Sequence, residues 1–98
     1  MKIFIKAYFR NKLGTKNSRR LRKEEKCPCI LYSLNNKEIP IYLKYDEIFK
    51  LKNIKNVYNK KIIIIFDKIN YLVKINEIQR HIFKNNILHI DFFLIKKI

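Results

Sequence analysis

A histidine and an acid stand two residues apart in the apolar segment ILHIDFFLI near the C-terminus, and this pair could do chemistry. Successive side chains of a strand point to opposite faces, so His89 and Asp91 are expected to be neighbours on one face. The apolar side chains expected on the opposite face are Leu88, Ile90, Phe92 and Leu94. A His–Asp pair could serve acid–base catalysis if a nucleophile completed it.

The candidate nucleophiles are Ser18, Ser33, Cys27 and Cys29, and none stands in a recognisable nucleophile context. Because a third catalytic group and an oxyanion loop are missing, we do not expect an enzyme. Two interpretations of the pair remain open. It is either a solvated polar pair on a strand, or a pair that recognises nucleic-acid base edges, where Asp accepts hydrogen bonds and His donates or accepts them.

A second polar set lies in the segment NEIQRHIF, where Gln79 and His81 are expected on one strand face and Arg80 on the other, between Ile78 and Ile82. Gln, Arg and His side chains together can contact both phosphates and base edges. Ordinary surface polarity explains the same residues equally well. This set therefore supports a nucleic-acid partner only in combination with other signals.

The segment CPC could be drawn as half of a zinc site with the two histidines. Zinc ligands are usually separated by two to four residues, whereas Cys27 and Cys29 are separated only by Pro28. We therefore expect both cysteines to be buried in the core, as free cysteines commonly are. The single glycine cannot form a phosphate-binding loop, and no cofactor or metal is predicted.

Arginine is concentrated in one short region, with four of the five arginines between positions 10 and 22. They are Arg10, Arg19, Arg20 and Arg22. A guanidinium offers a planar fork of donors that a lysine ammonium cannot reproduce, so the cluster indicates phosphate or base recognition. Chance clustering of five residues is the alternative.

The segment RRLRKEE is expected to form a short helix capped by Ser18 and ended by Pro28. Leu21 is its one apolar residue, so its own buried stripe cannot hold it. We expect a phosphate-bearing partner to hold it in place.

The net charge of +15 on 98 residues is the strongest global signal. Such a chain repels itself, and a polyanion relieves that repulsion, so nucleic acid is the first candidate partner and an anionic membrane surface the second. The longest apolar run is IIIIF, Ile62 to Phe66, which is far short of the roughly 20 residues of a membrane helix. We therefore expect no membrane span and no secretory leader.

Strand patterns dominate the chain, which predicts a mainly β fold with short helices, in the α+β class. The expected strands are KIFIKAYF, CILYS, EIPIYL, KKIIIIFD, INYLVKI, NEIQRHIFK and ILHIDFFLI. A short helix is expected in KYDEIFKLK, a loop around Gly14, and turns at NNK, DK and NN. Pro40 is expected to place its strand at an edge or bulge. Strands this apolar favour a closed barrel, because closure removes sheet edges.

In chain order, a strand ending in Arg10 is followed by Gly14, SRRLR, ILYS, IQRH and LHIDF. This combination resembles the bacterial large-subunit ribosomal protein L twenty-five family, whose general-stress-protein relatives share the domain. The resemblance runs from about Ile3 to Ile95. It implies a six-stranded closed barrel with one or two short helices over a single domain, residues 1–98.

The resemblance also implies a structural, non-enzymatic component of the large (50S) subunit that binds loop E of 5S rRNA. The implied partners are 5S rRNA and other large-subunit components, in the cytoplasm, with a monomer when free. The implied RNA-binding residues are Arg10, Lys16, Ser18, Arg19, Arg20, Arg22, Tyr32, Gln79, Arg80, His81, His89 and Asp91. A free-standing, non-specific RNA- or DNA-binding protein remains the alternative function.

The sequence departs from the family pattern at three places. After Gly14 it reads TKN, so Lys16 is expected to serve from a shifted loop position. Ser33 stands where the family has a glycine, and Ile82 where it has a proline. These changes are expected to alter the shape of two turns more than the recognition face.

Overall fold

The computed structural model describes residues 2–10, 15–35, 37–83 and 86–98. Its strands are β1 (Ile3–Lys6), β2 (Tyr8–Phe9), β3 (Lys26–Tyr32), β4 (Glu38–Lys44), β5 (Lys61–Phe66), β6 (Ile69–Arg80) and β7 (Ile87–Lys97). Its helices are α1 (Thr15–Lys23) and α2 (Tyr45–Lys52), with a 3₁₀ turn at Val57–Asn59. No helix among these described residues is long and apolar enough to cross a membrane.

The strands form a nearly closed barrel in the order β1-β5-β6-β7-β3-β4-β2. Strand β1 pairs in parallel with β5, and β2 pairs antiparallel with β4. Because only Ala7 separates β1 from β2 in the chain, the two ends of the sheet meet there. The Ala7 N–H still donates to the Ile65 carbonyl at 2.9 Å, while Arg10 N–H donates to the Pro40 carbonyl at 3.1 Å. The expected barrel is thus confirmed, with its first strand divided between the two ends.

The barrel interior is filled by alternate residues of every strand, as the period-2 pattern predicts. Its fully buried side chains include Ile5, Cys29, Leu31, Ile41, Leu43, Ile62, Ile64, Val73, Ile90 and Phe92. Ile48 and Leu51 of α2 add to this core from the predicted short helix. Full burial of one such side chain stabilises the fold by about 1.5–3 kcal/mol. In the isoleucine run of β5, Ile62 and Ile64 are the ones that lie fully buried in this core.

Both ends of α1 differ from the expected ones. The helix begins at Thr15, so Ser18 lies inside it and is not its cap, and Lys16 lies in the first turn instead of a loop. The helix ends at Lys23, where Glu25 adopts a positive φ of 61° and turns the chain into β3. Pro28 therefore does not end the helix.

Two prolines lie within strands, and each is paired with the neighbouring strand on one side only. Pro28 pairs with Tyr42 of β4, and the ladder between β3 and β7 starts one residue later, at Cys29. Pro40 pairs with Ile30, while the β2 ladder reaches only Ile41 and Tyr42. A proline is tolerated at such positions because its missing N–H has no ladder partner to satisfy. The sequence predicts an edge or a bulge at Pro40, and β4 is an edge only locally, at this residue.

The predicted hairpin at DK is present, and the strand after it is longer than expected. Asp67 and Lys68 both have positive φ, 52° and 63°, as the two central residues of a type I′ turn require. The segment INYLVKI and the first five residues of NEIQRHIFK form one strand, β6, which continues through register shifts and ends at Arg80, so the predicted second strand is shorter than expected. The predicted Gly14 loop, Asn36 of the NNK turn and Asn85 of the NN turn lie outside the described residues.

Candidate nucleic-acid interface

His89 and Asp91 lie side by side on the outer face of β7, as the strand period predicts. The Nδ1 atom of His89 is 3.2 Å from Oδ1 of Asp91, and the side chains are 22% and 15% exposed. Burial lowers the pKa of His89, and the charge of Asp91 opposes that shift without reversing it. The imidazole is therefore held mostly neutral, with one nitrogen able to accept a hydrogen bond and the other to donate one.

The strands on either side extend this face. Gln79 of β6 is directly opposite His89, and Glu77 is opposite Asp91. On the other side of β7, Tyr32 of β3 is in register with Phe93, and their ring centroids are 5.8 Å apart. We call the outward side chains of Gln79, His89, Asp91, Tyr32 and Phe93 the strand face. Four of its members were predicted as RNA contacts, and Phe93 was not.

The phenol of Tyr32 is kept as a hydrogen-bond donor. Partial burial raises the pKa of Tyr32, and the carboxylates of Asp91, Glu38 and Glu77 raise it further. The strand face therefore combines donors, acceptors and two aromatic rings. Such a set can read base edges and bind 2′-hydroxyl groups, whereas a purely cationic surface binds phosphates without discrimination.

Helix α1 packs against β3 and carries the basic residues. Among residues 16–23, Leu21 is buried and Arg22 is half-buried, whereas the exposed basic residues are Lys16, Arg19, Arg20 and Lys23. The protein holds this helix through its own contacts, contrary to the expectation that a partner is needed. The exposed guanidinium groups are thus presented on a fixed helix, which suits contacts with phosphates.

Arg10 lies beneath α1 and is only 5% exposed. Its Nη2 atom donates to Asn17 Oδ1 at 3.3 Å and to Ser18 Oγ at 3.4 Å. Its Nε atom is buried and has no hydrogen-bond partner among the described residues. Burial also lowers the pKa of this guanidinium. Here Arg10 and Ser18 join the helix to the barrel, and their predicted contact with RNA stays a prediction.

The charged helix and the strand face are adjacent. Helix α1 packs against β3, β3 pairs with β7, and Arg22 lines the same pocket as Leu88, the residue before His89. The positive charges of Arg10 and Arg22 act to lower the pKa of His89, in agreement with this arrangement. Arg80 and His81 lie at the far end of β6, beyond Gln79, and are exposed. The structure therefore brings together Tyr32, Gln79, His89 and Asp91 near Arg22, while Arg80 is the last residue of β6 and His81 follows it.

A cluster of tyrosines and lysines on the outer face of β2, β3 and β4 was not predicted. Tyr8 and Tyr42 stack with ring centroids 5.2 Å apart, Lys26 lies 5.1 Å from the Tyr42 ring centroid, and Lys44 lies 5.0 Å from that of Tyr8. The alternation of Tyr42 and Lys44 is visible in the sequence. The pairing of Tyr42 with Tyr8 is not visible in the sequence, because it depends on the break at Ala7 that places β2 beside β4.

The two cysteines point into the barrel. The Sγ atom of Cys29 donates to the Cys27 carbonyl at 3.5 Å, and both thiols are free and buried. Burial raises the pKa of Cys29 well above its ordinary value, so this thiol is unreactive. Both residues serve the core, as predicted.

Comparison with known proteins gives a consistent result. The model of the Ribosomal L25p family matches residues 5–92. The chain is 40% identical over 92 residues to "Large ribosomal subunit protein bL25" of Buchnera aphidicola subsp. Schizaphis graminum, covering 94% of this chain and 96% of the relative. It is 46% identical over 85 residues to the protein of the same name from Buchnera aphidicola subsp. Baizongia pistaciae, covering 85% and 87%. The Photorhabdus laumondii protein of that name is 34% identical over 88 residues, covering 90% and 94%.

Proposed function

The chain belongs to the Ribosomal L25p family, and we propose that within the ribosome it binds the loop E region of 5S rRNA through α1 and the strand face. The family assignment makes the chain a structural, non-enzymatic component of the large ribosomal subunit, in the cytoplasm. Residues 1–98 then act as one RNA-binding domain that is monomeric when free. Other large-subunit components are its further partners.

The observation that carries this proposal is the His89–Asp91 pair. Asp91 has a partly shielded carboxylate on a protein with a net charge of +15, next to a histidine held mostly neutral. An acid repels phosphates, so a general attraction to nucleic acid does not explain it. A carboxylate that accepts hydrogen bonds from base amino groups, beside a His and a Gln, suits recognition of base edges.

The shape of the surface favours a distorted RNA helix over a regular one. Regular double-helical RNA has a deep, narrow major groove that side chains cannot read. Loop E is an internal loop without Watson–Crick pairs, so its base edges are open to a strand face. The arginines of α1 would lie along the adjoining phosphates, where their planar donors fit the oxygen atoms.

The alternative function, a free-standing RNA- or DNA-binding protein without sequence preference, has the charge in its favour. It gives no role to Asp91 or to the Tyr32 phenol. Family membership also favours the ribosomal role.

The deciding experiment compares two RNAs of equal length at matched salt, one containing loop E and one fully paired. We expect the purified protein to bind the loop E fragment at least about tenfold more tightly, since specific and non-specific binding usually differ by more than this. Equal affinities would refute the proposal and support the non-specific alternative. Recovery of bound RNA from a lysate, followed by sequencing, provides an independent check.

A further inference from the structure

The end of the β6–β7 hairpin carries two large apolar side chains that the barrel does not use. Ile82 is 88% exposed and Phe83 is 91% exposed, directly after the last residue of β6, Arg80, and His81. Core packing does not account for either residue. A comparably exposed apolar residue, Leu34, stands in the turn between β3 and β4, without an exposed apolar neighbour on either side.

The backbone at this point is held by hydrogen bonds. The His81 N–H donates to the Asn86 carbonyl at 3.0 Å, which continues the pairing between β6 and β7 beyond Arg80. The Phe83 N–H then donates to Nδ1 of His81 at 3.1 Å. The two rings lie 6.4 Å apart at 56°, so the histidine covers little of the phenylalanine ring. These contacts hold Phe83 at the surface with its ring accessible.

The position of this ring relative to the strand face indicates its partner. Gln79 belongs to the strand face and lies opposite His89; strand β6 ends one residue later, at Arg80, and the chain then continues through His81 to Phe83. An RNA lying on the strand face and reaching this end of β6 would meet the exposed aromatic ring of Phe83. An accessible aromatic ring on a protein with a net charge of +15 suits a nucleotide, because the charge attracts the phosphates and the base can stack on the ring.

We propose that Phe83, flanked by Ile82, stacks on an unpaired or end-of-helix nucleobase of the bound RNA. This inference rests on the proposed function and extends it from edge recognition and phosphate contacts to base stacking. Stacking requires only the flat surface of a base, so it adds affinity without adding sequence preference. The two kinds of contact are therefore separable by experiment.

The chain contains no tryptophan, so a single aromatic replacement makes a direct probe. In Phe83→Trp, the indole is the only one in the protein and keeps a ring able to stack. We expect this variant to bind the loop-E-containing 5S rRNA at least as tightly as the unchanged protein does. Its emission should be quenched, and shielded from acrylamide, when the RNA saturates it. Phe83→Ala should weaken binding about 5- to 100-fold, whereas the matched control Leu34→Ala should leave it unchanged.

The outcomes distinguish this inference from the proposed function. If the protein prefers loop E over a paired duplex but the indole emission of the Phe83→Trp variant is unaltered at saturation, the stacking inference is wrong and the proposed function stands. If the emission changes only when ribosomal proteins are added, the ring contacts a protein, which also overturns the inference. Absence of any preference for loop E defeats the proposed function and the inference together.

Discussion

The guanidinium of Arg10 donates a 3.4 Å hydrogen bond to the hydroxyl of Ser18, eight residues further along the chain. With the parallel bond to Asn17 it joins the end of β2 to α1 from beneath. The basic helix therefore has a fixed position before any RNA arrives. Helix α1 buries Leu21, and the buried guanidinium of Arg10 adds the hydrogen bonds that fix its position.

The first prediction concerns this connection. Arg10→Ala should lower the free energy of unfolding by about 1–3 kcal/mol, because it removes both hydrogen bonds and leaves a cavity. Arg10→Met keeps much of the volume and buries no charge, so it should cost less than Arg10→Ala. Both variants should increase amide hydrogen exchange in α1, whereas the exposed control Arg20→Met should not. Unchanged exchange in α1 would show that Arg10 does not hold the helix.

The sequence predicts the features that depend on neighbouring residues, and it does not predict those that depend on contacts between distant parts of the chain. The alternation in β1 and β7 and the isoleucine run of β5 are local patterns, so the core and the His89–Asp91 neighbourhood were predicted correctly. The break at Ala7 depends on which strands pair with each half, and no local pattern records this. The burial of Arg10 likewise depends on how α1 packs over the barrel.

Proline gave the clearest error. A proline after a polar helix predicts the end of that helix, yet Pro28 pairs within β3. The strand tolerates it because the ladder to β7 begins one residue later. Proline does disfavour a strand ladder, but Pro28 lies where β7 does not yet pair with β3, so the strand accommodates it.

The second prediction concerns the turn at Asp67 and Lys68. A lysine at positive φ is strained, and Lys68→Gly gives the Asp-Gly pair that type I′ turns favour. We expect the free energy of unfolding to rise by about 0.5–1 kcal/mol in chemical denaturation. The control is Lys96→Gly, at an exposed position inside β7, which should lower it by a similar amount. A loss of stability in Lys68→Gly would argue against this turn geometry.

The third prediction is a pH dependence set by His89. Its pKa in the folded state is lowered from the ordinary value of 6.5 by burial and by the charges of Arg10 and Arg22, against the opposing charges of Asp91 and Glu77. Below pH 6.5 the histidine of the unfolded chain binds a proton more readily than His89 of the folded protein does. Stability is therefore fully present above pH 6.5 and falls as the pH is lowered through the folded-state pKa.

His89→Gln should flatten the stability profile between about pH 7 and pH 5, as measured by urea denaturation at several pH values. Identical profiles for His89→Gln and the unchanged protein would exclude His89 as the source.

The fourth prediction separates general attraction from recognition. Lys23 is exposed at the end of α1, whereas Lys26 is engaged with Glu24 at 3.2 Å and with the Tyr42 ring. Lys23→Gln should reduce the slope of log affinity against log salt by about 0.7–0.9, the contribution of one phosphate contact. The reduction should be the same for the loop E fragment and the paired duplex. A change confined to the loop E complex would mean that Lys23 contacts a specific feature.

The fifth prediction tests the acid on the strand face. If Asp91 accepts hydrogen bonds from base amino groups, Asp91→Ala should cost about 1–3 kcal/mol of discrimination between loop E and the paired duplex. Binding to the paired duplex should stay level or rise, because a negative charge has been removed. Gel-shift titrations of both RNAs at one salt concentration measure the difference.

Glu77 provides the matched control, because it lies directly opposite Asp91 and carries the same charge, but its side chain is exposed. Glu77→Ala removes one negative charge from the same region and should strengthen binding to both RNAs equally. If Asp91→Ala behaves in that same way, its carboxylate is only a surface charge, and the recognition of bases must be sought elsewhere on the barrel. If only Asp91→Ala loses discrimination, charge is excluded as the cause, and the position of the carboxylate beside His89 accounts for the selectivity.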